Sequence, residues 1–68
     1  MTLQEITAFL RARRKEKGIQ QQNLAEYAGI QPASLARIEK GRDLKTSTLL
    51  RICEALELEV ALKERERQ

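Results

Sequence analysis

The sequence predicts an all-α fold of four to five short helices with a helix-turn-helix inside it, plus a short β-strand near the C-terminal end. Three observations carry that expectation. Apolar residues recur at spacings of three and four over most of the chain, Gly18, Gly29 and Gly41 fall where such runs stop, and strict alternation appears only after Leu56.

The first helix is expected to start at Thr2-Leu3-Gln4-Glu5, which fits a capping box: the Thr hydroxyl accepts from the third helical N–H and the Glu reaches back to the cap. Leu3, Ile6 and Leu10 follow on one stripe, with Phe9 beside them, until the stripe meets Arg14. Gly18 then supplies a left-handed cap, with Lys15 and Lys17 near the negative end of the helix.

Gln20 is a mediocre cap for the second helix, but Ile19 and Leu24 occupy the two staple positions around it. Leu24, Ala25 and Ala28 are the inward positions, and Tyr27 is expected on the outer side, packing on the fourth helix in preference to the alternative of a phosphate contact. Gly29 provides the positive φ of a sharp turn. Ile30 and Leu35 form a second staple around Gln31, and Pro32 sits at the first helical position, where its missing N–H costs nothing. The third helix is expected to run to Lys40, with Leu35 and Ile38 inward and Gly41 as its stop.

A polar loop from Arg42 to Lys45 leads to a fourth helix capped by Thr46, Ser47 or Thr48, with Leu49, Ile52, Cys53 and Leu56 on its buried face. Beyond it, Leu58, Val60 and Leu62 alternate with Glu57, Glu59, Ala61 and Lys63, a period of two that reads as a strand. No other segment of the chain could pair with that strand, and an unpaired apolar edge would leave donors and acceptors open. A second copy of the same strand is the simplest partner, which makes Leu58, Val60 and Leu62 the expected dimerisation residues. The competing reading is that the fourth helix continues, because no Gly or Pro stops it and Glu, Lys, Arg and Leu are strong helix formers. Lys63 to Gln68 alternates in charge and reads as a solvated tail.

Composition narrows the function. The chain has 68 residues, no His, no Trp and one Cys, so the common general base is missing and neither a disulfide framework nor a Cys/His zinc site can form within one chain. No catalytic site, metal or cofactor is expected. Cys53 sits at core spacing and reads as a small buried thiol. No run approaches the ~18 apolar residues of a membrane span, so a soluble, cytoplasmic protein is expected. The net charge of +3 is unevenly placed: residues 1–45 hold nine Lys/Arg against five Asp/Glu, whereas residues 46–68 hold four against five. The basic excess lies on the helix-turn-helix side, as phosphate neutralisation would require, although an ordinary solvated face would look similar. Residues 1–57 are therefore expected to form a helix-turn-helix DNA-binding domain, and residues 58–68 a C-terminal dimerisation strand with a charged tail.

The ordered set Leu24-Ala25, Ala28-Gly29-Ile30, Ser34, Ile38-Glu39-Lys40-Gly41 and Leu49-Leu50 to Leu56 resembles the Xre/Cro-type, lambda-repressor-like helix-turn-helix family over roughly Ile6 to Leu56. The resemblance implies that Arg14 pairs with Glu39 across the first and third helices. It also implies that the third helix enters the major groove, with Gln31, Pro32, Ala33, Ser34 and Arg37 at base-contacting positions. Gln20, Gln21, Lys40, Arg42 and Lys45 fall at phosphate-contacting positions. Chemistry divides the base set: Arg37 can grip guanine O6 and N7 bidentately, whereas Pro32 and Ala33 can only meet a thymine methyl or start the helix. Arg11, Arg13 and Lys17 could add phosphate contacts or be plain solvated surface.

The chain departs from the family where Gln20 and Asn23 stand in place of a Ser/Thr cap and its Glu partner, and where Glu57 follows Leu56 at a position often held by Gly. The ending Leu56-Glu57-Leu58-Glu59-Val60-Ala61-Leu62 resembles HipB-type antitoxins, in which a terminal strand pairs across the dimer. The function expected is a homodimeric repressor of transcription that reads a pseudo-palindromic operator in double-stranded DNA, with recognition helices roughly 34 Å apart. The antitoxin of a toxin–antitoxin pair, repressing its own operon, is one form of it. The alternative is a protein-interaction module that holds a toxin or another enzyme, with DNA binding secondary.

Overall fold

The structure, a computed structural model, describes residues 1–66. Four helices form, α1 (Leu3–Glu16), α2 (Gln21–Ala28), α3 (Pro32–Glu39) and α4 (Thr46–Ala55). α2 sits centrally, packed on α4 and α3, and α1 closes the bundle against α3. Among the described residues no helix is long and apolar enough to cross a membrane.

The start of α1 follows directly from its sequence. Thr2 Oγ1 accepts from the Glu5 N–H at 3.1 Å, and Glu5 Oε1 accepts from the Thr2 N–H at 3.0 Å, so both halves of the capping box are made. α4 starts differently from expectation. Its N-cap is Lys45, not Thr46, Ser47 or Thr48, and no side chain accepts from its first turn. The Lys45 carbonyl already accepts from the Leu49 N–H at 2.9 Å, so the three hydroxyl residues are drawn inside the helix. α3 stops at Glu39, with Lys40 as its cap.

All four helices end in one device. The N–H groups of a positive-φ residue and of the residue after it bond back into the last turn, as in Ile30 N–H to the Ala25 carbonyl at 2.9 Å and Leu58 N–H to the Cys53 carbonyl at 2.7 Å. The pivot of this motif needs positive φ. Gly29 supplies it in the helix-turn-helix (φ 70°), with open space where a Cβ would stand. At the end of α4 the same position is Glu57, at φ 58°, the only non-glycine residue with positive φ among those described. The reading in which α4 simply continues is therefore overturned: this reversal ends it and folds Leu58 back onto the core.

The expected C-terminal strand is not formed. From Leu58 to Glu66 the chain has no regular secondary structure. A strand needs the N–H and C=O groups of a neighbour, and the rest of this single chain offers helices and short loops only. Arg67 and Gln68 of the expected tail lie outside the described residues.

The core is Leu10, Leu24, Ala25, Ala28, Leu35, Ile38, Ile52, Cys53 and Leu56, with Ile6, Ile19, Ile30, Leu44, Leu49 and Leu58 packed against it. Leu24, Leu35, Ile52 and Leu56 are essentially inaccessible, each worth about 1.5–3 kcal/mol of burial. Burial also pushes the Cys53 thiol above its ordinary pKa, which keeps it protonated and inert. Two aromatic side chains do not pack as expected. Tyr27 is 69% exposed rather than lodged on α4, and Phe9 is 56% exposed, with the Arg13 guanidinium 6.0 Å from its ring centroid. Each sits one position off the buried stripe of its helix.

Candidate nucleic-acid interface

The site is held in place from beneath by a charged network that crosses three helices. Arg14, buried in the last turn of α1, donates through Nε to Glu39 Oε2 at 2.6 Å and through Nη2 to Glu39 Oε1 at 2.9 Å, while its Nη1 donates to the Ile19 carbonyl at 2.7 Å. Gln21 Nε2, in the first turn of α2, donates to Glu39 Oε1 at 3.0 Å. One carboxylate at the end of α3 thus fixes both the end of α1 and the start of α2. Burial raises the cost of charging Glu39. The hydrogen bonds from Arg14 and Gln21, with the charges of Arg14 and Arg11, outweigh it and hold the carboxyl below its ordinary range.

The geometry explains why α2 opens without a side-chain cap. Gln20, its N-cap, makes no capping bond, and no acidic residue lies in the first turn. The free N–H groups and the positive helix end face outward beside exposed Gln20, an arrangement that accepts an anion. Gln21 is half-buried and spends one amide hydrogen on Glu39, leaving the other available.

α3 presents Gln31, Pro32, Ala33 and Arg37 as exposed side chains, with Ser34 half-buried beside them. Arg37 Nη2 donates to Ser34 Oγ at 3.4 Å, so the guanidinium lies back along its own helix with most of its donors open. Gln31, Ser34 and Arg37 line a cleft of about 950 Å³, and Arg42 and Lys45 line it from the α3–α4 loop. Pro32 and Ala33 lie outside that cleft, on the exposed start of the helix. Gln20 is also outside it, and Lys40 lines a second, smaller depression on the far side of Gly41.

Three lining residues carry no local sequence signal. Leu3 and Gln4 reach the cleft from the start of α1, and Asp43 places a carboxylate between Arg42 and Lys45. Gln4 is an ordinary exposed helix residue in sequence, and only the crossing of α1 over the α3–α4 loop brings it there. A Cβ on Gly41 would stand 3.4 Å from Gln4 Cγ, which measures how closely the two segments approach. Among the described residues no group of three His, Cys, Asp or Glu side chains gathers as metal ligands. Leu58 packs on the core, whereas Val60 and Leu62 are 48% and 99% exposed.

Comparison with known proteins gives the same architecture. The family described as Helix-turn-helix matches residues 10–62. Among solved structures, a point mutant of the restriction-modification controller protein C.Esp1396I is similar at a TM-score of 0.79 and 28% identity, over 84% of this chain and 75% of that one. The clp gene regulator ClgR from Corynebacterium glutamicum is similar at a TM-score of 0.77 and 32% identity, over 85% of this chain and 64% of that one. This chain thus spans less than two thirds of the ClgR structure. The curated proteins yielded no match.

Proposed function

Because this chain belongs to the Xre and lambda-repressor-like helix-turn-helix family of DNA-binding transcriptional regulators, we propose that it is a homodimeric repressor that reads a pseudo-palindromic operator through α3. The observation that carries this reading is that Gln31, Ser34 and Arg37 of α3 line one cleft together with the cations Arg42 and Lys45. It pairs groups able to address base edges with groups able to neutralise phosphates. In this reading Gln31, Ser34 and Arg37 address bases, and Pro32 and Ala33 approach closely enough to meet a thymine methyl. Gln20, Gln21, Lys40, Arg42 and Lys45 hold the backbone. The role is binding without catalysis, in keeping with a chain that has no His.

The dimer is built from residues 58–62 of two copies. The exposure of Val60 and Leu62 beside the anchored Leu58 supports it, because a paired strand would cover those side chains and satisfy the free backbone. A second reading, in which the repressor also holds a protein partner such as a cognate toxin, is favoured by apolar side chains exposed on other helices, Phe9, Tyr27 and Leu50. Selection of purified protein on a random duplex pool tests the leading reading. An enriched two-fold motif supports it, and weak, sequence-blind binding that vanishes at physiological salt refutes it in favour of the protein-interaction reading.

A further inference from the structure

We infer that the groove between α1 and the end of α3 is a second DNA-backbone track, in which Arg11 and Lys15 carry phosphates of the strand that Lys40 also touches. This inference rests on the DNA-binding reading and extends its footprint onto α1. The groove has a volume of about 360 Å³, and Arg11, Lys15 and Lys40 line it together with Thr7, Ala8 and Ala12.

Its three cations outnumber its one carboxylate. The one carboxylate at the groove, Glu39, has a side chain only 3% exposed, and both of its oxygens are taken by Arg14 and Gln21. Arg11 Nε approaches it no closer than 3.9 Å, and the Arg11 side chain remains 54% exposed. Among the described residues neither Lys15 nor Lys40 has an acidic partner within 4.0 Å. Three cations beside two alanines, with the Glu39 carboxylate already engaged by Arg14 and Gln21, let a polyanion come close to the groove.

Continuity identifies the polyanion. The groove and the cleft below α3 share Gln4 and Gly41 as a common border, so one surface runs from Arg37 past Lys40 to Arg11 and Lys15. Glu39 in turn links the groove to Gln21 at the start of α2, where a phosphate is already expected. A duplex seated on α3 therefore has its backbone led onto α1.

The test compares wild type with the Arg11→Gln/Lys15→Gln double variant, which keeps the side-chain stems and removes the charges, after thermal melts show that both fold alike. Salt titration on the selected operator and phosphate-ethylation interference are then read together. Each phosphate contact contributes about 0.9 to the slope of log K against log salt, so two residues in each of two protomers make it shallower by about 3.6. Interference at one patch of phosphates in each half-site disappears while base preference is retained. An unchanged slope with an unchanged interference pattern overturns the inference and leaves the groove to an acidic protein partner. Should wild type select no operator, the DNA-reading proposal fails by itself. The same titration on a random duplex still decides the groove, since an unchanged slope there refutes it.

Discussion

Arg14 and Glu39, 25 residues apart, form a bidentate pair that joins α1 to α3 at the point where α2 begins. Both side chains are nearly inaccessible, so the pair is strong in geometry and costly to break from one side. Removing one partner leaves a buried charge, a loss of about 3–5 kcal/mol. Arg14→Met is expected to destabilise by that amount in urea unfolding, and Arg14→Met/Glu39→Leu to recover most of it. A double variant as unstable as the single would show that the pair contributes net attraction beyond mutual compensation.

The same pair sets an acid limit. Glu39 has its pKa lowered in the folded state, so its contribution is present above the ordinary carboxylate value of about 4.3 and is lost as pH falls through the depressed native value. Wild type is expected to lose stability steeply below about pH 4.3, and Glu39→Gln to be less stable at neutral pH with a flatter acid limb. Parallel acid limbs in the two proteins would remove Glu39 from the account.

Glu57 holds a left-handed conformation that glycine adopts without cost, while its contact with Lys17 at 3.5 Å is solvent-exposed on the Glu57 side. Such a surface pair contributes little, about 0–1 kcal/mol. Glu57→Gly is therefore expected to stabilise by about 0.5–1 kcal/mol, since relief of the L-residue penalty of about 1–2 kcal/mol is partly offset by the freer unfolded chain. Loss of stability on this substitution would mean that the Lys17 contact outweighs the strain.

Gly29 tests the turn from the opposite direction. Its φ of 70° is unfavourable for any other side chain, yet a Cβ there meets nothing within 4 Å. Gly29→Ala should cost about 1–2 kcal/mol from backbone strain alone, and Gly29→Val more because of its β-branch. Equal stability for wild type and Gly29→Val would mean that the turn does not require its left-handed geometry.

Much of the bundle was legible in the sequence because local rules and burial agree there. The capping box at Thr2 and Glu5, Pro32 at the start of α3 and the stops at Gly18, Gly29 and Gly41 are each written in one or two residues. The Arg14–Glu39 contact came from resemblance rather than periodicity, which cannot join residues 25 apart. What was not legible depends on tertiary placement. Glu57 as a residue type carries no signal of positive φ; only the family's frequent Gly at that position does. A helix former there allows continuation, but Leu58 gains burial by turning back. Gln4 and Asp43 enter the cleft only because α1 crosses the α3–α4 loop. Alternation from Leu58 to Leu62 reads as a strand, but a strand is a property of a pair, and a single chain cannot supply it.

That pairing gives a separate expectation. Val60→Asp places a charge in the proposed strand interface and should turn a dimer into monomers in sedimentation while leaving the helical content unchanged. A Val60→Asp protein that sediments as a dimer would place the interface elsewhere, with exposed Leu50 on α4 the next surface to test.

The account turns on α3 as the element that reads bases, and the most direct measurement is the base preference of Arg37→Ala beside that of Lys40→Ala. Both are titrated on the selected operator and on its single-base variants. Arg37→Ala is expected to lose about 1–3 kcal/mol of discrimination at one symmetric pair of positions, whereas Lys40→Ala weakens all sequences evenly and lowers the salt slope by about 0.9 per protomer. Arg37→Ala binding with the wild-type base preference intact would contradict the assignment of α3 as the reader.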